Sequence, residues 1–117
     1  MIRKIMLAIF ALAPAAVLAG PISKFESNTP SIDTVSQVPL HDLERCLIDL
    51  DGHPAPQVYA QSDRPGLVRM LWMTRDKAVD RADLEATTQG TRVRIWKGSN
   101  QMRACVETGR SDGAVHR

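Results

Sequence analysis

The residues able to do chemistry are scattered along this chain, and few fall at spacings that would assemble a reaction. Asp49-Leu50-Asp51-Gly52-His53 is the densest acidic group. Carboxylates beside an imidazole can ligate a divalent cation, so a metal-dependent enzyme using Asp51 and His53 is one reading. Asp-x-Asp-Gly, however, is a fragment of a calcium loop without its distal Glu. Two acids at a helix end also oppose the dipole there, at about 0.3–1 kcal/mol each, and a solvated turn accounts for them without a metal. His41, Asp42 and Glu44 are acid–base residue types. No Gly-x-Ser-x-Gly elbow or other activated nucleophile accompanies them, and a three-residue spacing suits an exposed contact of His41 with Glu44 across one helical turn. No residue is therefore assigned a catalytic or metal-binding role, and no cofactor is required.

Two further groups concern binding. Arg92, Arg94, Trp96 and Lys97, with Arg103 nearby, interleave base and aromatic in the manner of surfaces that hold single-stranded nucleic acid or acidic sugars. Asp83 and Glu85 lie close enough in sequence to neutralise them. Tyr59, Met70, Trp72 and Met73 could wall a pocket for a small apolar ligand between helix and sheet. In a chain this small, the same residues also serve as core packing.

Cys46 and Cys105 are the only cysteines. A minimal even count beside an export signal predicts one disulfide. There is no Cys-x-x-Cys, and two thiols alone do not make a zinc site. Closing so long a loop is worth about 4 kcal/mol in the chain-entropy picture, which for a small core is a large share of net stability.

Residues 1–19 read as the export signal: Arg3 and Lys4 precede an uncharged apolar run, and Val17-Leu18-Ala19 closes it with residues a signal peptidase accepts. The run is shorter than the roughly 20 residues of a membrane span, so no stable span is expected after cleavage. Removing it takes two bases and no acid. The formal +2 of the full chain, from 15 Lys+Arg and 13 Asp+Glu, then falls to zero. A neutral mature chain lacks long-range attraction to nucleic acid or anionic lipid, and the destination is periplasm or medium. Residues 20–37, with Pro21 and Pro30 and no apolar period, read as a flexible leader. Residues 108–117 read as a disordered tail, leaving 38–107 as a single domain.

Within that domain Leu40, Leu43, Leu47 and Leu50 form one helical stripe over Pro39 to Leu50, with Gly52 and Pro54 ending it. Gln57 to Gln61 is a short edge strand, Ser62 to Gly66 a turn, and Leu67 to Thr74 a strand with Val68, Met70 and Trp72 on one face. A polar loop, Arg75-Asp76-Lys77, leads to the alternating segments Asp80 to Thr88 and Thr91 to Lys97. Gln89-Gly90 is the expected hairpin turn, which sets Ala86 opposite Val93, Leu84 opposite Ile95 and Glu85 opposite Arg94. Gln101 to Glu107 is read as a final strand from the alternation of Met102, Ala104 and Val106. A helix capped by Ser99 or Asn100 competes, because Met102, Cys105 and Val106 share a helical face.

The expected class is α+β: one N-terminal helix on an antiparallel sheet of about four strands, with the disulfide pinning helix to last strand. The hairpin Leu84 to Val93 resembles strands of the START/polyketide-cyclase helix-grip proteins. That resemblance implies apolar ligand binding beneath a long C-terminal helix, and this chain is shorter than that full fold. The functional expectation is a small exported module, without catalysis, that binds a protein or a small apolar ligand.

Overall fold

A computed structural model describes residues 20–112 of the 117-residue chain. The export signal expected over 1–19 and the end of the expected tail, 113–117, lie outside the described residues. The order of elements is β1 (Ile32–Ser36), α1 (Leu40–Ile48), β2 (Gln57–Gln61), β3 (Arg64–Thr74), β4 (Lys77–Thr87), β5 (Gly90–Ile95) and α2 (Asn100–Thr108). The strands form one antiparallel sheet in the order β1-β5-β4-β3-β2.

Both helices cover one face of this sheet. Val68, Met70 and Trp72 of β3, Ala82 and Leu84 of β4, and Val93 and Ile95 of β5 meet Leu43 and Leu47 of α1 and Met102, Cys105 and Val106 of α2. The leucine stripe thus does what its spacing dictates. Pro39 sits at the cap position with extended backbone (ψ 148°) rather than in the first turn. The disulfide Cys46–Cys105 joins the two helices, with Cα atoms 5.7 Å apart.

The α+β class and the disulfide agree with expectation, and four details differ. First, residues 100–108 are helix, not strand. Ser99, at φ −134° and ψ 170°, accepts a hydrogen bond from the Met102 N–H on its side chain, and Gly109 closes the other end at φ 75°. A cap at each end outweighs three residues of alternation. Second, the segment 20–37, expected to be an unstructured leader, supplies β1 as the fifth strand. It also supplies a 3-10 turn at Ser23–Phe25, whose Phe25 is buried against Leu71 and Ala78 on the face away from the helices.

Third, the β4–β5 register is displaced by two residues: Ala86 faces Thr91, Leu84 faces Val93 and Glu85 faces Arg92. The two-residue turn is Thr88-Gln89, and Gly90 is the first residue of β5. A Cβ at Gly90, whose φ is 142°, would run into the Ser36 carbonyl oxygen of β1. This glycine therefore permits strand contact rather than turn formation. Fourth, the β2–β3 turn is only Ser62-Asp63, and Arg64-Pro65-Gly66 opens β3 at an irregularity between Ala60 and Gln61. Proline fits there because a bulge leaves its missing N–H without consequence. The β3–β4 turn is likewise Arg75-Asp76 alone, with Arg75 at φ 55°.

Asp80 ties this frame together. It is 7% exposed, and its carboxylate accepts the backbone N–H groups of Arg81 (2.7 Å), Lys97 (2.9 Å) and Gly98 (2.9 Å). One anion thereby fixes the path from β5 to α2 against β4.

Candidate functional site

Side chains alternate between the faces of a strand, so the burial of Met70, Ala82, Val93 and Ile32 under the helices sends their neighbours to the other face. The register places Asp33 of β1 opposite Arg94 of β5, Arg94 opposite Asp83 of β4, and Asp83 opposite Arg69 of β3. This row crosses four strands with alternating charge. Arg92 and Glu85 are paired in the next row.

The contacts actually made are uneven. Arg81, 3% exposed, donates from Nε and Nη2 to the two Asp83 oxygens at 2.9 and 2.8 Å. Arg69 approaches the same carboxylate at 3.7 Å. Arg92 pairs with Asp33 at 3.6 Å, and Arg64 reaches Glu85 at 4.0 Å. Asp83 and Asp33 are thus taken by other bases, and Arg94, though opposite both, makes no ion pair within 4.0 Å among the described residues. The buried Nε of Arg69 has no hydrogen-bond acceptor among the described residues. Arg64, Arg69, Arg92 and Arg94 surround a cleft of about 140 Å³, floored by Leu67 and shared with Asp83 and Glu85. Four guanidiniums against two carboxylates leave it positive. Its volume suits one small anionic group, and a guanidinium fork matches a carboxylate with two parallel hydrogen bonds.

The residues singled out from sequence are distributed as follows. Arg92 and Arg94 line the cleft. Trp96 does not join them: its ring lies under the Arg81 guanidinium, whose carbon is 4.6 Å from the ring centroid, and its Nε1 donates to the Asn28 carbonyl at 3.0 Å. It anchors the N-terminal segment, with Phe25 6.4 Å away. Arg103 is on α2, away from the cleft. Tyr59 is opposite Arg69 and so belongs to the outer face, whereas Met70 and Trp72 are buried in the helix–sheet core. These three therefore do not wall a common pocket. Asp51 and His53 lie on an exposed turn, with His53 Nδ1 3.1 Å from the Asp51 carbonyl oxygen. Among the described residues no three His, Cys, Asp or Glu side chains come together as metal ligands. His41 Nδ1 is 3.5 Å from Glu44 along the exposed side of α1.

Arg64 and Arg69 were not visible as site residues. Arg69 interrupts an apolar strand, and only its register against Asp83 brings it to Arg94. Arg81 and Asp80, the two buried charges that hold the surroundings, sit in the alternating segment without any distinguishing motif. The chain shows no match to known family models, curated proteins or solved structures, so the functional reading rests on this geometry.

Proposed function

We propose that the protein is a small exported binding module, without catalysis, that recognises ligands by a carboxylate group seated among Arg64, Arg69, Arg92 and Arg94. Arg94 carries the reading: it is a half-buried guanidinium with no ion pair among the described residues, set in a fixed lattice of paired neighbours. A ligand carboxylate gains a charge-assisted fork there without reorganising the sheet, because Asp83 and Arg81 already hold the surrounding side chains. Asp83 within the cleft and Glu85 at its rim favour a monoanion over phosphate and repel a polyanionic strand. Acidic peptides and uronic-acid sugars both present the required group. The disulfide supports a location in an oxidising compartment, in keeping with the N-terminal pattern.

The test is calorimetric titration of the oxidised protein with a capped glutamate peptide, oligogalacturonate and inorganic phosphate, repeated for Arg94→Gln and for Lys77→Gln at the far end of β4. Binding of at least one carboxylate probe, weakened about tenfold or more by Arg94→Gln and unchanged by Lys77→Gln, supports the site. The two carboxylate probes distinguish peptide from sugar. No millimolar binding of either, equal loss in both variants, or tighter binding of phosphate would overturn it.

A further inference from the structure

β1 is an edge strand, and among the described residues the side of it away from β5 faces no other strand. Which of its backbone groups are free follows from the hairpin. The two-residue turn makes Thr87 and Gly90 a hydrogen-bonded pair, and the Trp96 N–H donates to the Arg81 carbonyl at 3.1 Å in the same register. Even-numbered residues of β5 therefore face β4, and the odd-numbered Thr91, Val93 and Ile95 face β1. Their partners are Ser36, Thr34 and Ile32. Asp33 and Val35 are left directing N–H and C=O outward, unpaired among the described residues.

Beside this edge lies a groove of about 310 Å³, lined by Ser31, Ile32, Asp33 and Thr34 on one side and by Arg103, Val106 and Glu107 of α2 on the other. The helix runs in the same direction as the strand: Gly98, just before it, lies against Ser31 and Ile32, and Ser36 donates its hydroxyl to the Val106 carbonyl. Arg103 and Glu107 carry no ion pair among the described residues. They are four residues apart on a helix, a rise of about 6 Å, close to the spacing of roughly 6.7 Å between side chains i and i+2 on one face of a strand. The wall of the groove thus offers one positive and one negative charge at strand repeat, above free backbone donors and acceptors.

We propose that an extended peptide from a partner protein adds to β1 as a sixth strand in this groove, antiparallel to β1, with a basic residue two positions before an acidic one. Antiparallel addition continues the pattern of the sheet and is the more stable pairing. A strand running that way meets Glu107 first and Arg103 second, so its base precedes its acid, and both project toward α2. The β2 edge lacks these features. Gln57 to Gln61 is exposed throughout and irregular at its end, and among the described residues no helix packs closely against it. Neither of the two sheet edges, β1 and β2, carries the base-x-acid pattern, so pairing of two copies edge to edge does not supply the two charges.

The test uses the oxidised, ¹⁵N-labelled protein and two capped hexapeptides, Thr-Lys-Val-Asp-Val-Thr and the same peptide with Lys and Asp exchanged. The first should shift and protect from exchange the amides of Asp33 and Val35, and the exchanged peptide should bind about fivefold more weakly. Val35→Pro removes one outward donor, at an edge position that tolerates proline, and should weaken the first peptide about fivefold or more. Arg103→Glu changes an exposed helical residue without touching the sheet, and should abolish the preference between the peptides. Shifts mapping to β2, equal affinity for both peptides in the parent protein, indifference to Val35→Pro in a folded variant, or association of the protein with itself at β1 would each overturn the proposal.

Discussion

Breaking the link between the helices should cost different amounts depending on which cysteine is replaced. Cys46 and Cys105 are 59 residues apart in sequence. The loop-closure relation gives about 14 cal/mol/K for a loop of this length, or about 4 kcal/mol at 25 °C. A domain of this size has a total stability of only about 5–10 kcal/mol, so reduction alone should remove roughly two-fifths to four-fifths of it. The two sites then separate. Cys46 is half-buried at the rim of the core, whereas Cys105 is wholly buried beside Leu43, Met102 and Val106. Cys46→Ser leaves a hydroxyl that reaches water and should match the reduced parent. Cys105→Ser strands a hydroxyl in an apolar core, at a further 1–3 kcal/mol. Cys105→Ala removes that hydroxyl and should recover part of the difference. Urea unfolding followed by circular dichroism, with and without reductant, gives all four values. Equal midpoints for oxidised and reduced parent would refute the loop-closure account, and equal midpoints for the two serine variants would refute the assignment of burial.

Two other positions give sharp outcomes. Asp80→Ala leaves three backbone donors without their acceptor and should cost about 4 kcal/mol or more, with Asp80→Asn milder because Oδ1 keeps its two bonds to Arg81 and Lys97; a melting temperature within a degree or two of the parent would show that the clamp is not needed. Gly90→Ala forces a Cβ onto the Ser36 carbonyl at a backbone angle alanine avoids. It should cost about 3 kcal/mol and speed amide exchange along β1, and unchanged exchange at Ser36 and Thr91 would contradict the close approach.

The parts of the fold that local pattern controls were legible. The leucine spacing of α1 specifies its buried stripe, and the alternation of β4 and β5 specifies a hairpin and its apolar face. What sequence alone could not supply is distance along the chain. Gly90 looked like a turn residue because the strand that requires it, β1, is more than fifty residues earlier. β1 itself buries only its two end residues, Ile32 and Ser36, too little to imprint a period. Residues 101–107 satisfy both periods at once, and Ser99 with Gly109 decides between them. The same limit applies to the cleft. Arg92 and Arg94 were visible as a pair, but their neighbours Arg64 and Arg69 come from a strand whose register is set by contacts with β4.

That register also explains why the proposed recognition is placed at the polar surfaces. The face under the helices is filled by Met70, Trp72, Leu84 and the leucines of α1, and the disulfide holds the lid in place. One end of the opposite face is closed by Phe25 and by Trp96 beneath Arg81. What stays open is the charged row Asp33, Arg94, Asp83, Arg69, in which the acids are shared unequally. Asp83 serves Arg81 and Arg69, Asp33 serves Arg92, and among the described residues the base between them is left over. If neutralisation were the only purpose of the row, Arg94 would sit on the nearest carboxylate, which the register puts directly opposite it on either side. A guanidinium set between two acids, and without an ion pair among the described residues, is the arrangement that the proposed ligand carboxylate would complete.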